Sequence, residues 1–292
     1  MKILSLNGGG TLGYINLCVL EQLEEEAGKP CHEIFDLISG VSTGAIIGYA
    51  LASGLTAKET KSLYEKLIPK IFNNKRGFFM SLFKPYYDIK VLEDVIKEHL
   101  GYKRLSDVKT KFMCHAVKIN SPEIKSKFWK SWKPDHDVEA WQAMTASSAA
   151  PLYFSPVQFG DDILIDGGLA SNSANVVSIV EALKLGEKLE DIKMLNLTVN
   201  SIKTYDNKKD LIGLLRVANN FPLISVWGTE SIEIHQAEKL LEKGNFSAVY
   251  PNTNLGMDNQ DFKKMQEIAD NLWFERKLAY TWILSTTSRL KT

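Results

Sequence analysis

Residues 3–20 read ILSLNGGGTLGYINLCVL. The run from Ile3 to Leu6 has the length and continuity of a buried strand. Over residues 14–25 the pattern changes, with Ile15, Val19, Leu20 and Leu23 near the helical period. Between the two lies Asn7-Gly8-Gly9-Gly10-Thr11-Leu12-Gly13. A glycine-rich turn from strand into helix gathers backbone N–H groups at a helix N-terminus, where an anion can be held. The anion could be a dinucleotide pyrophosphate, a nucleotide phosphate or a charged reaction intermediate. Gly8, Gly10 and Gly13 match the G-x-G-x-x-G fingerprint, so a dinucleotide-binding oxidoreductase is one alternative. That fingerprint needs an acidic residue at the end of the next strand, where this chain has Ser39-Gly40. No Gly-Lys-Ser/Thr follows the loop, which removes a nucleotide phosphate loop.

Working outward, strand-like and helix-like stretches alternate. Residues 35–39, 112–119, 163–165 and 194–199 have strand character. Residues 44–53 are small and apolar, which suits a tightly packed buried helix, and 58–71, 91–100, 138–147 and 174–185 are also predicted helices. Helices are expected again over 233–243 and 260–273, with 200–230 left unassigned. This order predicts an α/β fold, a three-layer sandwich with a largely parallel central sheet. No internal repeat or low-complexity linker divides the chain, so a single domain over 1–292 is expected.

Lys plus Arg and Asp plus Glu balance at 35 each in 292 residues, which gives no electrostatic ground for a nucleic-acid partner. Cys18, Cys31 and Cys114 are far apart and odd in number, so neither a metal site nor a disulfide framework is expected. The glycines at 8–10 interrupt any signal-peptide core, and no apolar run reaches transmembrane length. A cytoplasmic location follows as the expectation.

Gly40-Val41-Ser42-Thr43-Gly44 falls between a predicted strand and the small-residue helix, the context of a nucleophile elbow. The flanking glycines allow the sharp turn, and the Thr43 N–H at the helix start can help bind an oxyanion. A helix-capping turn would use the same residue types. A serine nucleophile needs a base. His32, His99, His115, His136 and His235 each fall in a helix, in a strand interior or among surface charges, and none follows a strand end in a glycine-rich turn. Asp166 does: it ends the strand at 163–165 and precedes Gly167-Gly168, at the sheet edge where α/β sites gather.

Together, the glycine loop, G-x-S-x-G and Asp-Gly-Gly, in this order and spacing, resemble the patatin-like phospholipase family. Lys84-Pro85-Tyr86-Tyr87-Asp88 and the run from Ala146 to Phe154 look similar too, and the resemblance is clearest over residues 1–200. It implies a patatin-like variant of the α/β-hydrolase theme and a Ser–Asp dyad without histidine. Ser42 would be the nucleophile and Asp166 its base, with oxyanion donors at Gly8, Gly9, Gly10 and Thr43. Gly13, Gly40, Gly44, Gly167 and Gly168 would support the motifs. The implied reaction is acyl-ester hydrolysis of phospholipids or related polar lipids through an acyl-enzyme. The enzyme would use no cofactor and no metal, and would associate peripherally with a membrane. Some relatives are switched on by a partner or small molecule, so an activator is among the expectations, and a catalytically silent binding protein is a further alternative. Three features depart from the family pattern: Leu12 stands where a basic residue is usual, Asn7 where the loop often starts with Asp, and Asn196-Leu197-Thr198-Val199 where a glycine-containing turn is more common. Two stretches combine cations with apolar bulk, 75–84 with Phe78, Phe79 and Phe83, and 125–133 with Trp129 and Trp132. Each is either a lipid contact or ordinary core packing.

Overall fold

The computed structural model describes residues 1–284 apart from 74, 78–79, 81–82, 121, 123, 200–213 and 252, and describes no side chain at 214–225, 276–279, 281 and 284. The strands are β1 (Lys2–Leu6), β2 (Leu37–Gly40), β3 (Lys111–Lys118), β4 (Lys125–Lys130), β5 (Val157–Phe159), β6 (Asp162–Asp166), β7 (Lys193–Leu197) and β8 (Phe246–Val249). The helices are α1 (Gly13–Ala27), α2 (Cys31–Ile34), α3 (Thr43–Ala52), α4 (Ala57–Ile71), α5 (Ile89–Leu100), α6 (Ala140–Ser147), α7 (Asn175–Lys184), α8 (Leu214–Leu240) and α9 (Phe262–Leu284).

One sheet runs β5-β6-β3-β2-β1-β7-β8, with β4 on the far side of β3. The β1–β2, β1–β7, β2–β3 and β7–β8 pairings are parallel, and the pairings of β4, β5 and β6 are antiparallel. Side chains of the central strands alternate between two hydrophobic clusters. Leu4, Ile38, Phe112, Cys114 and Leu195 enter one, while Ile3, Leu37, Met113 and Met194 enter the other. That period of two is what a sheet buried on both faces imposes. The first cluster is completed by α1, α3, α4, α5, α6 and α9, the second by α7 and α8, which gives helices, sheet and helices in three layers. Each fully buried Leu or Phe adds roughly 2–3 kcal/mol.

The small residues of α3 act as spacers. A Cβ on Gly48 would sit 3.1 Å from Phe112 and 3.2 Å from Ile38, so the helix rides close over β2 and β3. Helix α4 starts at a capping box in which the Thr56 side chain accepts from Glu59 N–H and Glu59 reaches back to Thr56 N–H.

Two features go beyond the sequence expectation, and a third decides between two readings. Residues 246–249, unassigned between the two C-terminal helices expected, form β8 parallel to β7; four residues between turns are too short for periodicity to mark. Helix α8 begins at 214, inside the stretch left unassigned. The segment containing Trp129 is β4, with Trp129 buried against Phe159, so of the two readings of that stretch core packing is the one that holds.

The register of β3 brings two distant motifs together. Strand β2 runs parallel to it and ends with Gly40 opposite Cys114, while β6 runs antiparallel along the same strand and ends with Asp166 opposite Ala116. Two carboxyl ends therefore converge on one point of the sheet, at His115.

Candidate active site

At the end of β2 the chain turns sharply into α3. Ser42 sits at φ 55 and ψ −129, a sparsely populated conformation that costs about 1–3 kcal/mol. Close backbone approach holds it there. Val41 N–H donates to Leu6 O at 3.1 Å, and Ser42 N–H donates to Ser147 Oγ at 3.1 Å. Ser147 Oγ–H in turn donates to His115 O at 2.7 Å. A Cβ on Gly40 would fall 2.1 Å from Gly44 O, and one on Gly44 would fall 2.2 Å from Leu6 O. Both obstacles are backbone and cannot swing aside. We expect Gly44→Ala to destabilise the fold by about 3 kcal/mol or more, read as a lower urea midpoint; an unchanged midpoint would remove this account of the turn.

Asp166 arrives from the opposite side. Its N–H donates to Ala149 O at 3.0 Å, and its Oδ1 accepts from Gly168 N–H at 2.7 Å. The Ser42 side chain lies close enough to the same carboxyl group to favour its charged form. Burial raises the Asp166 pKa to about 6, with the nearby Ser42 side chain and the Gly168 N–H holding it from rising further. His115, on β3, is buried and lies beside the Asp166 loop: its Nε2 bonds Gly167 O at 3.2 Å, and burial lowers its pKa. The ring is therefore a neutral Nε2–H donor that props the loop.

The glycine loop lies above the serine. A Cβ on Gly8 would sit 2.7 Å from Ser42 Cβ, while Gly9 packs against Val199 and Gly10 against the Met257 carbonyl. Among the described residues, nothing accepts from the N–H groups of Gly8, Gly9, Gly10 or Thr43. Thr11 N–H does have an acceptor, Met257 O at 2.8 Å, which argues against a pyrophosphate seated at this helix entrance. Tyr64 OH donates to Gly10 O at 2.6 Å and bonds the Thr43 hydroxyl, tying the loop to the start of α3. Gly13 borders the same Thr43 and Tyr64 oxygens.

The departures from the family pattern have a physical account. Leu12 is buried in the larger hydrophobic cluster, so position 12 contributes packing. Asn196 donates to Ser5 O at 3.2 Å and to Asn7 Oδ1 at 2.7 Å, and Val199 forms the floor under Gly9. The 196–199 stretch thus supports the loop by side chains. Of the residues expected at a lipid surface, Phe83 is 89% exposed, while Phe78 and Phe79 lie outside the described residues. Among the described residues no cluster of His, Cys, Asp or Glu could hold a metal ion.

Sequence reasoning missed Ser147, Asn172 and Tyr64. Ser147 lies in the run from Ala146 to Phe154, but nothing in its spacing marks it as the acceptor for Ser42 N–H. Asn172 is buried and touches both glycine loops.

Comparison with known proteins places this site in a family context. The family model for patatin-like phospholipase matches residues 4–176. Calcium-independent phospholipase A2-gamma of Oryctolagus cuniculus is 33% identical over 201 residues, 62% of this chain and 26% of the relative. The cGAMP-activated phospholipase of Vibrio cholerae is 28% identical over 285 residues, 85% of this chain and 79% of the relative. The chain thus spans about a quarter of the length of the first curated relatives it matches. Among solved structures, VipD from Legionella pneumophila aligns with a TM-score of 0.47 at 13% identity, covering 92% of this chain and 66% of that one.

Proposed function

The chain belongs to the patatin-like phospholipase family, and on that premise we propose that it is a lipid acyl hydrolase cleaving fatty-acyl esters of phospholipids or related polar lipids through a Ser42–Asp166 dyad. The observation that carries this reading is the convergence of β2 and β6 on β3, which brings Ser42 beside the buried Asp166 carboxylate, whose pKa burial raises to about 6. An ordinary surface aspartate is too weak a base to help a hydroxyl attack; burial narrows the gap and keeps water from competing.

As Ser42 Oγ attacks the ester carbonyl carbon, its proton passes to Asp166. The carbonyl π electrons move to oxygen, and the oxyanion is received by the unengaged N–H groups of the glycine loop and Thr43. Collapse of this intermediate breaks the bond to the alcohol, which leaves with the proton from Asp166, and the acyl group remains on Ser42. Water then attacks the acyl-enzyme, Asp166 takes its proton, and the fatty acid departs as Ser42 regains its hydrogen.

The lipid meets the enzyme, in this reading, at the surface around Phe83. Met80 is 51% and Leu152 50% exposed, and Tyr86 N–H donates to Leu152 O at 2.8 Å, which joins the 80s segment to the loop before β5. Leu152 holds a positive φ of 72. Exposed apolar side chains beside Lys84 suit peripheral contact with a bilayer, and among the described residues no helix is long and apolar enough to cross one. Phe83→Glu is expected to weaken vesicle co-sedimentation about tenfold or more without changing thermal stability. Undiminished sedimentation would remove this surface from the reading.

The direct test of the chemistry is a serine-reactive fluorophosphonate. One adduct, on Ser42, is expected by peptide mass mapping; folded protein that leaves Ser42 unlabelled would sink the proposal. Fatty-acid release is assayed on mixed-lipid vesicles with and without cGAMP, because the Vibrio cholerae relative is named for activation by that molecule.

A further inference from the structure

Asn172 is 3% exposed and lies wedged between the two glycine motifs. Its Oδ1 is 2.7 Å from where a Cβ on Gly8 would be and 2.8 Å from where one on Gly168 would be. Its Nδ2 carries two hydrogens, and both are used: one goes to Gly8 O at 3.1 Å, the other to Glu230 Oε2 on α8 at 3.0 Å. Glu230 is itself 4% exposed. The next turn of α8 contributes Glu233, which accepts from Ser173 Oγ at 2.9 Å and Asn175 N–H at 2.9 Å, so the helix grips the segment after Asp166 at several points.

The bond to Gly8 O matters because of which peptide unit it holds. The Gly8 carbonyl and the Gly9 N–H belong to one planar trans peptide and point in opposite directions. Anchoring the oxygen aims the N–H. Glycine on both sides leaves this unit with little steric resistance to rotation, so a carbonyl without a partner there would leave the donor's direction undetermined. The next unit is held in the same manner, since Gly9 O accepts from Leu12 N–H at 3.3 Å. Glu230 settles which end of the Asn172 amide faces Gly8: a carboxylate can only accept, so it keeps the NH₂ end between itself and Gly8 O.

We propose that Asn172, oriented by Glu230, is a positioning residue that sets the Gly8–Gly9 peptide so that Gly9 N–H serves as an oxyanion donor. The inference rests on the Ser42–Asp166 hydrolase reading for its kinetic consequence, but the peptide's orientation can be tested without it. In Asn172→Ala, kcat for a soluble nitrophenyl ester should fall about 100-fold, the typical loss of one oxyanion donor. KM should change less than about threefold, because the interaction belongs to the transition state. The pH inflection of kcat should stay in place, since Asp166 keeps its surroundings. Glu230→Gln should retain most activity, because its amide oxygen still accepts from Asn172, whereas Glu230→Leu should resemble Asn172→Ala. A purely structural role would make Gln as damaging as Leu or shift KM along with kcat, and either result overturns the proposal. Crystal structures of wild type and Asn172→Ala supply the independent measurement: a reoriented Gly8–Gly9 peptide is expected, and an unmoved one overturns the inference. Should wild type cleave no ester, the hydrolase reading fails and the two structures alone decide this point. If Asn172→Ala does not fold, Glu230→Leu serves in both measurements.

Discussion

Ser42→Ala is expected to lower fatty-acid release by about 10⁴-fold or more, to the background of uncatalysed hydrolysis, while the protein stays folded. The size of the effect follows from the lack of a substitute at the site. The neighbouring hydroxyls are committed elsewhere: Ser147 Oγ–H donates to the His115 carbonyl, and Thr43 is bonded to Tyr64. Cys114 is fully buried with its thiol pKa raised by that burial, which leaves it no thiolate near neutral pH. The backbone of the turn does not depend on the serine hydroxyl, because Ser42 N–H and the carbonyl accepting from Ala45 N–H are main-chain groups. The cost to stability is confined to the contacts of one hydroxyl, about 1 kcal/mol. Hydrolysis by the alanine variant at wild-type rate, with an unchanged circular dichroism melt, would mean that the chemistry lies elsewhere on the chain.

The sequence carried the local part of this site and left out the part that depends on direction. Strand β1, the glycine loop, α1, β2 and α3 were legible because each is a continuous run whose period changes at a glycine. Asp166 was legible as a carboxylate ending a strand. Its pairing with Ser42 was expected from the excluded histidines and the family resemblance, but the strand direction that brings the two together was not legible, because it requires β6 to run antiparallel on the edge of β3 that β2 shares, and a short Ile163-Leu164-Ile165 run has no preferred sense. The same limit hid Asn172. Nothing in Leu169-Ala170-Ser171-Asn172 distinguishes it from a solvated loop until α8 supplies Glu230 from 58 residues further on. Residues 200–230 showed no clear period in the sequence, yet α8 begins within them and carries that carboxylate.

This tension between packing and chemistry is sharpest at Asp166. Asp166→Asn is expected to remove nearly all hydrolysis, by about 10⁴-fold, and at the same time to make the protein more stable above pH 6. The catalytic loss follows because an amide keeps the shape of the carboxylate but cannot accept the Ser42 proton. The gain in stability follows from linkage. The folded-state pKa is raised from 3.8 to about 6, so the folded protein binds this proton more tightly than the unfolded chain does. Asp166 therefore contributes its full stability below about pH 4, and that contribution is lost as pH rises through 6. The difference of about two units corresponds to roughly 3 kcal/mol held against the fold at pH 7. Asparagine has no charge to desolvate and is spared this cost. The predicted result is a pair of crossing profiles: wild-type kcat rises through an inflection near pH 6 as its denaturation midpoint falls, while the variant is flat in both. Should the variant prove less stable than wild type at pH 8, burial would not have raised the carboxyl pKa, and Asp166 would be held as an anion by donors beyond Gly168.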